Sequence, residues 1–230
     1  MKIIINTTAI VMAGCSVLSS LYAADLPSSN EKITEEIFAE KIQHNNPTLS
    51  PHSLYAGIRA YEQLQHIGEV QSPYLTLVDF TLPSSKKRLW VINMQDYKVT
   101  YYTYVAQGIA TGKNSASYFS NAVDSHASSI GVYLTGKTYY GTVGHAMRLY
   151  GLDKGFNDNA YRRGVVMHSS WHMSESFLKV HGTIGHTWGC FGLDKSVSDS
   201  IINQISNGSV LVAYYPDKRW LGNSLYEKSL

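Results

Sequence analysis

The chain has 230 residues, 44% of them apolar and only 16% Asp, Glu, Lys or Arg, against roughly 25% in an average soluble protein. That balance excludes a disordered chain, and the length suits one domain with a small appendage. With 19 basic and 17 acidic residues the net charge is +2, and no block of like charges follows a phosphate backbone, so nucleic acid is excluded as a partner.

Residues 1–23 read as a signal peptide. Lys2 supplies the positive start, Ile3 to Met12 is mostly apolar, and Leu21-Tyr22-Ala23 is a small-residue cleavage site. Export to the periplasm or cell envelope is the expectation. Met12-Ala13-Gly14-Cys15 resembles a lipoprotein processing box and offers a second route, in which Cys15 becomes the acylated N-terminus. No later stretch holds the roughly 18 uninterrupted apolar residues a membrane helix needs, so no transmembrane span is expected after processing.

Residues 24–72 form an N-terminal helical segment. Ser50 before Pro51 is an N-cap with proline at the first helical position, and Leu54, Ile58, Tyr61 and Leu64 recur at helical spacing. Ile33, Ile37 and Ile42 give a looser stripe one helix earlier, with Pro47 between the two. Residues 73–230 are expected to form the main domain. Tyr74 to Phe80, Arg88 to Met94, Val99 to Ala106, Val165 to His168 and Ser209 to Tyr215 are short β-branched and aromatic runs that predict strands. Gly112 to Arg163, heavy in Gly, Ser, Asn and Tyr, reads as long shaping loops. Ser196 to Ser206 predicts one helix, with Val197, Ile201 and Ile205 four apart and Asn207-Gly208 closing it. The expected fold is thus mainly β, with N-terminal helices and a helix after Cys190, α+β overall. The 17 tyrosines are read as structural filling of strands rather than as a sugar-lined cleft.

The chemistry gathers between Val165 and Asp194. Either processing route removes Cys15 or caps it, which leaves Cys190 as a lone thiol that is either a small buried hydrophobe or a functional group. Val165-Val166-Met167-His168 is an apolar strand ending in an imidazole, and Gly182 to Cys190 is a glycine-punctuated loop ending in the thiol. At an ordinary pKa of about 8.5 only about 3% of a thiol is thiolate at neutral pH, and an imidazole that lowers this to about 6 raises the reactive fraction roughly 30-fold. The same imidazole returns a proton to the leaving amine. His168 is the first candidate for that role because its strand would fix it. His186, four before Cys190, is second, and His172 and His181 are further alternatives in polar surroundings. Gly189 lets the chain turn sharply, so the backbone N–H groups of Gly189 and Cys190 are the candidate oxyanion donors. A metal site built from the four histidines matches no known finger or zincin spacing, and no metal or other cofactor is expected.

Trp188-Gly189-Cys190 within Gly185 to Cys190, with His168 ending a strand 22 positions earlier, resembles the signature of the murein L,D-transpeptidases, in their second, less studied catalytic-domain branch. Leu75 to Phe80, Lys87 to Ile92, Tyr118 to Asn121, Ser128 to Gly131, Leu149 to Leu152 and Asn157 to Ala160 resemble that branch's successive blocks, so the likeness covers about Pro73 to Tyr215. The resemblance implies an L,D-transpeptidase-like β-sandwich or barrel. It also implies an exported cysteine acyltransferase acting on peptidoglycan stem peptides without a cofactor. Cys190 would attack the carbonyl of the third stem residue, expel the terminal D-alanine and hold the stem as a thioester, which an amine or water resolves. His168 would be base and acid.

The commoner branch carries a His two positions before the Cys and an Arg two positions after it, where this chain has Trp188 and Gly192. Arg162 and Arg163 are candidate replacements for that Arg, against the ordinary expectation that adjacent arginines stand in solvent. Gln107 stands where the branch often has His and is assigned no role. His186, Trp188, Thr187, Ser169 and Arg163 are the candidate substrate-binding or supporting residues. The alternative readings are a carboxypeptidase or other hydrolase using the same thiol, and a peptidoglycan-binding protein with a silent site.

Overall fold

The computed structural model describes residues 29–226. The expected signal peptide and Cys15 lie outside them. Two helices come first, α1 (Ser29–Asn45) and α2 (Pro51–His66). Pro51 starts α2 after Ser50, which has the extended backbone of a cap, although its side chain makes no capping hydrogen bond. Leu54, Ile58, Tyr61 and Leu64 are all buried, as their spacing requires, and each contributes roughly 1.5–3 kcal/mol of apolar burial. In the looser stripe of α1, Ile42 is buried but Ile37 is 57% exposed.

The remaining elements build one eight-stranded mixed sheet. Its strands are β1 (Tyr74–Asp79), β2 (Leu89–Asn93), β3 (Lys98–Thr103), β4 (Gly131–Gly141), β5 (Gly144–Gly151), β6 (Val166–Ser169), β7 (Phe191–Leu193) and β8 (Val210–Tyr214). They lie in the order β3-β2-β1-β8-β4-β5-β6-β7. The last strand of the chain therefore sits in the middle, parallel to β1 and antiparallel to β4. All five residues of β8 are buried, as expected of a central strand covered on both faces. α2 lies so close to β1 that a Cβ on Gly57 would come within 2.2 Å of the Leu77 side chain, which would have to move to admit a larger residue.

Helices α3 (Glu175–His181), α4 (Lys195–Ile205) and α5 (Lys218–Asn223) complete the fold. α4 matches the helix read after Cys190, and Asp194 caps it by accepting from the Ser196 N–H. The five strands expected from the sequence are all present. One expectation is corrected: Gly112 to Arg163 is not only loop, because β4 and β5 form an antiparallel hairpin inside it. The register of that hairpin shifts between Thr135 and Thr138, around Gly136. This breaks the period-two pattern by which a strand is recognised.

Candidate active site

β6 and β7 are parallel neighbours at the edge of the sheet, with Met167 opposite Phe191 and His168 opposite Gly192. Cys190 immediately precedes β7, so the register brings it alongside the β6 residues that lead into His168. The chain between the two is a detour through a 3-10 turn at Trp171–Met173, then α3, then the loop 182–190. A small separate core of Ala106, Met173 and Ile184 fastens this detour to the domain. Ser174 caps α3 at its start, and Gly182, in left-handed backbone at φ 73°, ends it.

His168 is 9% exposed, and its Nδ1 lies 2.9 Å from the Ser169 carbonyl oxygen. A carbonyl can only accept, so in the neutral ring Nδ1 carries the proton and Nε2 is left as the basic nitrogen. Ser169 thus contributes its backbone. The Cys190 thiol is half-buried and points its S–H at the Gly164 carbonyl, 3.6 Å away. Burial pushes this thiol up from its ordinary pKa, while a hydrogen bond from the Val166 backbone and the charge of Arg163 pull it down.

The turn into Cys190 is held by Thr187, whose hydroxyl donates to the Cys190 carbonyl at 2.7 Å and accepts from the Gly189 N–H at 3.2 Å. The two expected oxyanion donors therefore differ: the Gly189 N–H is already engaged, whereas no described group accepts the Cys190 N–H. Gly189 has φ 114°, and a Cβ there would lie 2.7 Å from the Ala127 carbonyl oxygen. The outer side of the loop is tied to the segment before it, with Thr187 N–H donating to Gln107 O and Ile109 N–H to Thr187 O.

Arg162 is exposed, as expected of one of two adjacent arginines, but Arg163 is not free in solvent. Its Nη1 donates to Ser120 O and Ser129 Oγ, and its Nη2 to Ala127 O and Ser125 Oγ. These partners lie 34 to 43 positions upstream, which is why neighbouring sequence did not reveal them. Gly192 sits in a tight spot: a Cβ there would lie 3.0 Å from Met173 and 3.2 Å from Ala106, so these side chains would have to give by a few tenths of an ångström to admit a larger residue.

The other histidines lie elsewhere in the network. His186 Nε2 donates to Lys113 O at 2.6 Å, and the His172 ring packs against Trp171 at a 32° tilt and contacts Ser170 Oγ. Trp188 is 73% exposed and stacks on His126, a residue the sequence did not single out. Gln107 is fully buried and donates to Gly112 O. Among the described residues, no three His, Cys, Asp or Glu side chains are grouped to hold a metal ion.

The model of one protein family, described as the L,D-transpeptidase catalytic domain, matches residues 45–214. No curated protein matches the chain. Among solved structures, one match is an L,D-transpeptidase from Mycobacterium smegmatis, at 12% identity and a TM-score of 0.38, over 63% of this chain and 59% of that one. Another is an L,D-transpeptidase from Stackebrandtia nassauensis, at 13% identity and a TM-score of 0.38, over 78% of this chain and 77% of that one.

Proposed function

The chain belongs to the L,D-transpeptidase catalytic domain family, and from that premise we propose that it is an exported enzyme that uses Cys190 to transfer peptidoglycan stem peptides. His168 Nε2 takes the S–H proton as sulfur attacks the carbonyl carbon of the third stem residue. The Cys190 N–H meets the developing oxyanion. Collapse of the tetrahedral species breaks the bond to the terminal D-alanine, whose nitrogen receives the proton back from the imidazolium. An amine of a second stem then attacks the thioester, gives up a proton to His168 and leaves a cross-link, with the thiol regenerated.

One observation carries this reading: the tautomer imposed on His168 by the Ser169 carbonyl, on the strand beside the Cys190 turn. It leaves the basic nitrogen unspent. Incubating the purified mature protein with tetrapeptide muropeptides tests it. The expected result is a thioester mass on Cys190, released D-alanine and cross-linked dimers. Loss of all three rejects the proposal, and D-alanine without dimers makes the enzyme a carboxypeptidase.

Export belongs to the same reading, and among the described residues no helix is long and apolar enough to cross a membrane. The intact mass of the protein recovered from cells distinguishes cleavage after Ala23 from acylation at Cys15.

A further inference from the structure

His168 does not stand alone on its face of the sheet. Its partner across the β5–β6 ladder is Ala146, and Val166 faces Arg148. Directly opposed residues of antiparallel strands share a face and side chains alternate along a strand, so Arg148 and Tyr150 point to the same side as His168. Tyr139 on β4, opposite Ala146, does so too.

On that face the side chains form a stack. The Arg148 guanidinium carbon lies 4.6 Å from the Tyr139 ring centre and 5.3 Å from that of Tyr161. The rings of Tyr150 and Tyr161 are 5.4 Å apart and within 9° of parallel. Gly136 makes room for this: a Cβ there would lie 2.7 Å from the Tyr150 ring, so the ring lies down over β4 where the register shifts. Tyr150 and Tyr161 remain 42% and 53% exposed, and no described carboxylate pairs with Arg148. Tyr161 stands three residues before Gly164, whose carbonyl receives the Cys190 S–H.

Two half-open, parallel phenol rings backed by an unpaired guanidinium make a poor core and a good platform. The flat C–H side of a hexosamine ring rests on an aromatic face while its hydroxyls stay wet or accept from arginine. We infer that the Tyr139–Arg148–Tyr161–Tyr150 stack binds the glycan strand of peptidoglycan, so that the sugar backbone is held on the sheet face that presents the stem to Cys190. The inference rests on the proposed action on peptidoglycan. It also revises the expectation that the tyrosines are only filling, for these two rings.

The test is a binding titration on the Cys190→Ala protein, using glycan chains stripped of their stems by an amidase and, in parallel, free stem tetrapeptide. Expected are saturable binding of the stripped glycan, an affinity about tenfold lower in Tyr161→Ala and in Tyr150→Ala, and retention in Tyr161→Phe, with tetrapeptide affinity unchanged throughout. Unfolding temperatures of the variants show that the fold is intact. No glycan binding by the parent, equal binding by parent and alanine variants, or a loss confined to the tetrapeptide would each overturn the inference. Because stem-free glycan asks nothing of the thiol, a chain that binds it yet forms no thioester refutes the catalytic proposal and leaves the platform standing.

Discussion

Arg163 lies against Gly189: its Nη2 is 3.1 Å from the point a Gly189 Cβ would occupy, with the Ala127 carbonyl oxygen at 2.7 Å on the same point. The residue before the thiol is thus pressed between a guanidinium and a backbone carbonyl, at a φ of 114° that L side chains rarely adopt. Gly189→Ala strains the backbone by roughly 1–2 kcal/mol and pushes the thiol off its line of attack. A displacement of about 1 Å costs about 100-fold in rate, which is the fall in acylation expected of the variant. Its unfolding temperature should drop as well. Wild-type acylation by Gly189→Ala, measured by mass spectrometry, would show that the turn has slack.

The same guanidinium also bears on the thiol's acidity, against the larger effect of burial. Burial raises the Cys190 pKa, and Arg163 is one of the two influences that lower it. Arg163→Met should therefore move the pH profile of iodoacetamide alkylation to higher pH, whereas Arg163→Lys, which keeps the charge but not the planar fork, falls between. The sign for stability follows from the net upward shift. Between the ordinary and the raised pKa the unfolded thiol has lost its proton and the folded thiol keeps it, so fewer protons are bound on unfolding and stability falls as pH rises through that window. Below the ordinary value the contribution is fully present. Cys190→Ser removes this slope, and a slope unchanged in Cys190→Ser by denaturant melts would assign it to another group.

A thiol with a raised pKa is almost wholly protonated at rest, which increases its dependence on a base in the attack itself. His168→Ala should slow acylation by roughly 10²–10⁴-fold, the usual contribution of a positioned general base, rather than by the thiolate gain expected of an imidazole that lowers the thiol pKa. The same variant should leave the slow alkylation by iodoacetamide at high pH unchanged, since the thiolate forms there without help. His186→Ala is the control: its Nε2 is engaged by Lys113 O, and its acylation rate should stay within about twofold of wild type. Equal rates in wild type and His168→Ala would remove the base assignment.

The strands β1, β2 and β8 were legible because both of their faces are covered and they read as near-unbroken apolar runs, and the stripe of α2 because its side chains meet the core at helical spacing. β4 and β5 were not. In β4 the apolar run is interrupted by Thr135-Gly136-Lys137-Thr138, and the register shift at that point breaks the pattern on which a strand is recognised. At the candidate site, the sequence singled out His168 at the end of an apolar strand and Cys190 at the end of a glycine-punctuated loop, and the structure sets those two segments side by side. Arg163 was legible only as one of an adjacent pair, because what distinguishes it from its exposed neighbour Arg162 is a set of hydroxyls and carbonyls between Ser120 and Ser129. Long-range partners of this kind leave no local trace. Gly192 looked like a departure from a pattern, and the close packing of Met173, Thr187 and Ala106 around it, which favours a small residue, was not visible in the sequence.

The loop that ends in Arg163 and Gly164 is rooted at Asp153. The Asp153 carboxylate, 3% exposed, accepts from the Val132 N–H at 2.7 Å and from the Trp220 indole N–H at 2.8 Å, through one oxygen. The Asn157 side chain closes the arrangement, accepting from Asp153 N–H and donating to Val132 O. Asp153→Ala leaves two buried donors without an acceptor, at about 1–3 kcal/mol each, so a loss of about 3 kcal/mol is expected from the urea midpoint. Trp220→Phe removes one of those donors and leaves Val132 paired, so it should cost less despite the larger side chain changed. Because the loose root frees Arg163, Asp153→Ala should also shift the thiol's alkylation profile toward that of Arg163→Met, which a purely local packing role would not do. A variant as stable as wild type, with an unmoved profile, would detach this anchor from the site.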